Sequence, residues 1–177
     1  VIGNKRLISA WPARGGPVIR DGHVYFAASI WPLMGTFIYS LDAETGDVAW
    51  VNDSTSAQYI KQPHSAHSFA GVAPQGALVA TQNVLLVPGG RSVPAAFERT
   101  TGRFMHFQIG GKGTGGSFVC ANESNFFVHT RIRGVRTCDL ESGDSSEQTL
   151  REPVLTDSGT ISFEDGAVRA ATKSISF

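Results

Sequence analysis

The residues of this 177-residue chain that could do chemistry are five histidines, two cysteines and a scatter of arginines. His64 and His67 stand three apart in a polar stretch, and imidazoles at that spacing can converge on zinc or copper. No carboxylate or cysteine lies near them in sequence to complete a ligand set, so both are expected to be hydrogen-bonding surface residues rather than a metal pair. Arg91 falls in one short connection, and Arg131, Arg133 and Arg136 cluster in a later one. Guanidinium groups gathered at one end of a fold could hold a small anion or carboxylate, although solvated or structural ion pairs are the plainer expectation. Gly111-Lys112-Gly113-Thr114-Gly115-Gly116 satisfies G-x-G-x-x-G. That chemistry needs a helix N-terminus facing the pyrophosphate. Here strand-like Ser117-Phe118-Val119-Cys120-Ala121 follows, and Lys112 is followed by glycine rather than Ser or Thr. The run is read as a backbone crossing. There is no G-x-S-x-G elbow and no C-x-x-C-H haem attachment. No catalytic residue is assigned.

The elements that must carry these residues are strands. Leu41-Asp42-Ala43-Glu44-Thr45-Gly46-Asp47-Val48-Ala49-Trp50 reads as a strand end, a tight turn and a return strand closing on a large aromatic. Asp42 can fold its carboxylate onto nearby backbone N–H groups, and Gly46 can supply a positive φ. Phe37, Tyr39 and Leu41 alternate with Ile38, Ser40 and Asp42, the period of two expected of a strand. The same hairpin recurs around Gly102 and Gly143, 56 and then 41 positions on. A second marker, a polar turn before a β-prone strand, recurs at Gly22, Asn83, Asn125 and Gly166, at spacings of 61, 42 and 41. The base period is therefore near 41, with an insertion between the first and second copies.

Four short strands repeating every 40 to 50 residues or so mark a propeller blade. The fold expected is all-β: blades of four antiparallel strands A to D, about three complete, with partial ones at either side. Residues 1–15 are read as the tail of a preceding blade and 16–52 as a blade. Residues 53–75 form an insertion loop, 76–110 and 111–150 two more blades, and 151–177 the start of the next. Ordinary propellers close with about four to eight blades, so an incomplete ring is expected, completed by remaining blades of the same propeller. Cys120 and Cys138 fall on strands A and C of one blade with B between them, and are expected to be buried free thiols.

Trp31, in an unusually apolar B–C loop, lies with His64, His67, Arg91, Arg131 and Arg133 on the loops where a binding surface is expected. Trp11 and Trp50 are better suited to packing between blades. Charge is balanced, 15 basic against 15 acidic residues, which gives no argument for nucleic acid or an anionic membrane. No run approaches the ~18 apolar residues of a spanning helix.

Leu41-Asp42-x-x-Thr45-Gly46-x-x-x-Trp50, preceded by Gly16-Pro17-Val18-Ile19-x-Asp21-Gly22-x-Val24-Tyr25, resembles the repeat of pyrroloquinoline-quinone (PQQ)-type β-propellers. That superfamily includes quinoprotein alcohol dehydrogenases and the propeller lipoprotein of outer-membrane protein assembly. Blade two departs from the pattern with Phe107 near the tryptophan position, and blade three lacks the aromatic. The resemblance implies a periplasmic or cell-envelope setting and a non-catalytic scaffold that binds a ligand or another envelope protein, with no cofactor. The alternative it implies is part of a PQQ-dependent alcohol or sugar dehydrogenase, with PQQ held beside Ca²⁺. In that case Trp31 is the tryptophan placed to back the quinone. Such enzymes often carry a disulfide between adjacent cysteines, and Cys120 and Cys138 are not adjacent. No functional residue carries over.

Overall fold

A computed structural model describes residues 2–3, 5–29, 31–109, 113–130, 134–150, 154–156, 159–164 and 166–172. A two-stranded pair, β1 (Ile2–Gly3) and β2 (Arg6–Leu7), comes first. Blade one is a four-stranded antiparallel sheet of β3 (Ala13–Arg20), β4 (His23–Ala28), β5 (Phe37–Asp42) and β6 (Val48–Asn52), adjacent in chain order. The insertion forms its own hairpin, β7 (Gln58–Lys61) with β8 (His67–Ala70). Blade two is β9 (Val79–Ala80), β10 (Val84–Val87), β11 (Val93–Glu98) and β12 (Phe104–Gln108). Blade three is β13 (Phe118–Ala121), β14 (Asn125–Thr130), β15 (Gly134–Asp139) and β16 (Ser145–Leu150). A three-stranded meander follows, β17 (Val154–Thr156), β18 (Gly159–Glu164) and β19 (Ala167–Thr172). The all-β blade architecture is as expected.

The turn chemistry is local. Asp42 Oδ1 accepts from the backbone N–H groups of Glu44 (2.9 Å) and Thr45 (2.8 Å). Asp139 Oδ1 does the same for Glu141 (3.0 Å) and Ser142 (2.8 Å). These donors hold both carboxyls below the ordinary aspartate range, led by the Thr45 and the Ser142 N–H respectively. In blade two the equivalent residue is Glu98, one methylene longer, and its Oε2 accepts instead from the Thr101 hydroxyl (2.6 Å) and Arg103 Nε (3.2 Å). Gly46, Gly102 and Gly143 all sit at φ between 71° and 77°, which glycine adopts without strain.

Blades bury both faces, and the buried seams show it. All four residues of β10 are buried. Leu85 and Val87 join Tyr25, Ile38, Val72 and Phe97 between blades one and two, whereas Val84 and Leu86 join Phe126, Val128, Cys138 and Leu140 between blades two and three. In β5 the fully covered set is Ile38 and Ser40, at 0% and 1% exposure, while Phe37, Tyr39 and Leu41 are only half-buried. The period of two is present, but the face that carries the two aromatic rings is the more open one. Glycines mark where backbones meet backbones. A Cβ on Gly76 would lie 1.9 Å from the Ser117 carbonyl oxygen, and one on Gly116 1.9 Å from that of His129. Gly115 and Gly116 are thus packed crossing backbone, as expected; Gly111 and Lys112 lie outside the described residues.

A ring from blade one caps the C–D turn of blade two, and a ring from blade two caps that of blade three. The Trp50 indole N–H donates to the Arg99 carbonyl (3.0 Å), and a Cβ on Gly102 would meet its ring at 2.4 Å. In blade two this position belongs to His106, four residues after the turn glycine as Trp50 is, and not to the neighbouring Phe107. His106 Nε2 lies 3.1 Å from the Leu140 carbonyl, and a Cβ on Gly143 would meet its ring at 2.6 Å. Trp11 makes a similar bond (2.7 Å), but to the Met34 carbonyl of blade one's B–C loop, at the opposite end.

The histidine brings a pH dependence that tryptophan lacks. Donation to the Leu140 carbonyl places the proton on Nε2, and Nδ1 is buried with no partner among the described residues. Burial pushes the His106 pKa below its ordinary 6.5, against smaller opposing effects of the Leu140 carbonyl, Asp139 and Asp144. The unfolded chain then binds a proton at a higher pH than the folded one. Stability is full above about pH 6.5 and falls as pH drops below it, before the carboxylates titrate. Urea midpoints between pH 7 and pH 5 should fall for the natural chain, and the fall should be smaller in His106→Trp.

Cys120 pairs with Phe127 and Cys138 with Phe126 across β14. Consecutive strand residues point to opposite faces, so the two thiols lie on opposite sides of blade three and cannot bridge. Both are free, and burial pushes the Cys138 thiol up to about 11.

Candidate functional site

Three connections converge at the B–C end of blades one and two. The first is the blade-one loop, where Pro32–Met34 makes a single 3-10 turn that leaves Trp31 and Leu33 exposed at 65% and 68%. Its shape is held from beneath by Trp11, whose N–H reaches Met34 and whose ring meets Phe37 edge-on at 6.1 Å. Gly35, at φ 94°, sits against the Phe37 ring where a Cβ would come within 3.2 Å. The Thr36 hydroxyl, fully buried, donates to the Val72 carbonyl (2.7 Å) and ties this loop to the chain leaving the insertion.

The second is the β7–β8 hairpin. Asn52 donates to the Gly102 carbonyl (2.9 Å), and the Thr55 hydroxyl donates to the Asn52 side chain (2.9 Å). A Cβ on Gly71 would lie 1.8 Å from the Ser56 carbonyl, so the two legs of the insertion touch. Tyr59 faces Phe69 across the pair, with ring centroids 5.2 Å apart, and His67 stacks on Tyr59 at 5.7 Å. The third is the blade-two loop, where Arg91 N–H bonds the Gly89 carbonyl (2.7 Å) across Gly90 at φ 67°, a γ-turn.

Between them lies a pocket of about 390 Å³. Its walls are apolar: Trp31, Leu33, Phe69, Phe107 and Ile109, with Pro32 and small residues between them. Gln62, Ser92 and Arg91 supply the polar groups. Arg91 is exposed, and among the described residues its guanidinium makes no hydrogen bond or ion pair. The turn end of the blades is different. There Asp21, Glu98 and Glu123 answer Arg20, Arg99 and Arg103, whereas residues 54–97 contain no acidic residue.

The structure therefore brings Trp31 and Arg91 together. His64 is exposed in the hairpin turn and His67 is engaged with Tyr59; among the described residues no group of three or more His, Cys, Asp or Glu could hold a metal. Arg131 and Arg133 lie outside the described residues. Arg136 is not in a loop: it is part of β15 and donates to the Thr114 carbonyl (3.2 Å) and the Ser145 hydroxyl. Sequence reasoning missed Phe69 and Phe107 as pocket walls. It also missed His106, although its offset from the turn glycine is that of Trp50.

No protein-family model and no curated protein sequence matches the chain. Solved structures do. BamB from Moraxella catarrhalis superposes with a TM-score of 0.56 at 12% identity, covering 85% of this chain and 43% of that one. The computationally designed Ika4 protein matches at 0.52 and 12% identity, over 90% of this chain and 91% of its own. A europium-containing methanol dehydrogenase matches at 0.52 and 18% identity, over 78% of this chain and 25% of its own. The chain thus spans less than half of the BamB structure and a quarter of the dehydrogenase. At these identities the likeness shows the fold alone, which is that of β-propeller blades.

Proposed function

We propose that these PQQ-like blades form part of a non-catalytic propeller scaffold in a bacterial cell-envelope protein, presenting the B–C end to a ligand or protein partner. The observation that carries this reading is the apolar pocket around Trp31, Leu33 and Phe69, built from three separate loops that hydrogen bonds and close-packed glycines hold in place. Exposed apolar surface gathered in one concave site marks a binding surface rather than a solvated one. The likeness to BamB supports the envelope setting, and the partners proposed are further blades of the ring and another envelope protein.

The second reading is part of a PQQ-dependent dehydrogenase, supported by the likeness to a methanol dehydrogenase and by Trp31 at the loop end. Calcium needs several oxygen ligands, carboxylates above all. The described pocket lining offers one guanidinium and no carboxylate, a donor set that does not fit a calcium–quinone pair. Titration of the full-length protein with PQQ, with and without Ca²⁺, separates the readings through tryptophan fluorescence. The scaffold reading expects no calcium-dependent saturation. Saturable quenching at micromolar PQQ that requires calcium would overturn it.

A further inference from the structure

We infer that the pocket at the B–C end binds a small amphiphile with one carboxylate, an aromatic or medium-chain aliphatic acid. The inference rests on the reading of that end as a binding surface and names what it takes. Three observations support it. The pocket's volume, about 390 Å³, falls in the range of roughly 300–1,000 Å³ common for small-molecule sites. Its walls are dominated by Trp31, Leu33, Phe69, Phe107 and Ile109, a surface that gains from covering an apolar body. Among the described residues its one charged lining residue is Arg91, whose guanidinium has no partner among them.

The charge pattern makes that cation selective. Lys61 and Arg91 are the only residues of formal charge between positions 54 and 97, and blade one's B–C loop, 29–36, carries none. No carboxylate of the chain competes for Arg91 in that stretch, whereas the cations of the turn end face acids: Arg99 meets Asp21, Arg20 meets Glu123 and Arg103 meets Glu98. A guanidinium presents a planar fork that matches a carboxylate with two parallel hydrogen bonds. One such fork at the edge of an apolar pocket selects one anionic head on an apolar tail. A ligand with several carboxylates would leave the others facing Trp31, Leu33 and Phe69 unpaired.

The test uses octanoate and its neutral counterpart octanamide, titrated calorimetrically into the full-length protein and its Arg91→Met and Arg91→Lys variants. Arg91 is exposed, so the variants should fold as the natural chain does. Octanoate should bind saturably, and octanamide about tenfold more weakly, the size of one charge-assisted contact. R91M should lose about tenfold for octanoate and nothing for octanamide, and R91K should fall between. Equal binding of the acid and the amide, unchanged octanoate affinity in R91M, or no saturable octanoate binding would each overturn the inference. So would an acidic peptide that binds this end when octanoate does not. Failure with octanoate alongside a negative PQQ titration removes the ligand class and leaves the scaffold reading standing. Calcium-dependent PQQ binding removes the scaffold reading itself.

Discussion

Phe126→Ala should lower the stability of this protein by about 3–5 kcal/mol, the range for truncating a fully buried phenylalanine. Phe126 is at 0% exposure in β14 and sits in the seam between blades two and three, among Val84, Leu86, Ala96 and Leu140. The His106 ring lies nearly parallel to it, with centroids 6.2 Å apart and planes inclined by 15°. Truncation therefore opens a cavity in the seam and also removes the surface on which the interblade ring rests. Relaxation is restricted, because Gly143 is pressed against that same ring and the β14 ladder pairs all six of its residues with β15. A drop in urea midpoint at constant slope would report the loss. Phe126→Leu, which keeps most of the volume, should cost less than about 1.5 kcal/mol. Equal effects from the two variants would show that the seam is not close-packed there.

Arg99→Met should cost about 2–4 kcal/mol, the scale for leaving buried hydrogen-bonding groups without their partner. Arg99 is 8% exposed and makes three bonds: Nε to the Gln82 carbonyl (2.8 Å) within blade two, and Nη1 to the Tyr25 hydroxyl (3.1 Å) and Nη2 to Asp21 Oδ2 (2.7 Å), which join it to blade one. Methionine fills much of the space but leaves the Tyr25 hydroxyl, on a side chain at 2% exposure, without its donor. The ion pair contributes the smaller share. The Asp21 side chain is 63% exposed, so water recovers its charge once the arginine is gone. Asp21→Asn should therefore cost less than about 1 kcal/mol, and Tyr25→Phe about 1 kcal/mol. If Asp21→Asn matched Arg99→Met, the pair would be acting as a buried salt bridge and the bonds to the Tyr25 hydroxyl and the Gln82 carbonyl would be secondary.

The repeat was legible in the sequence because its signals are local. An aspartate two and three residues before the N–H groups it accepts from, and a glycine at positive φ closing the turn, are properties of five consecutive residues. Strand starts followed just as closely: β4, β10 and β19 begin directly after the polar-turn markers Gly22, Asn83 and Gly166. The same reading went astray where a neighbour decides. Phe107 was set against the tryptophan pattern because it is large and aromatic, yet the blade-to-blade contact at that offset is made by His106, and Phe107 turns to the pocket. The blade-three arginines were grouped by proximity in sequence, and Arg136 proved to be a strand residue bonded to the blade's own crossing.

By itself, then, the sequence determined the four-stranded unit, its period near 41, the hairpin turns and the place of the insertion, since short-range hydrogen bonding and backbone conformation set all of these. Tertiary structure alone decided which face of β5 is sealed, that the two thiols point to opposite sides of blade three, and that Trp31, Phe69 and Arg91, up to 60 positions apart, line one pocket. Those outcomes depend on how one blade stacks on the next. Stacking is settled by the shapes of whole faces and by glycines such as Gly76 that let backbones touch, which no window of neighbouring residues contains.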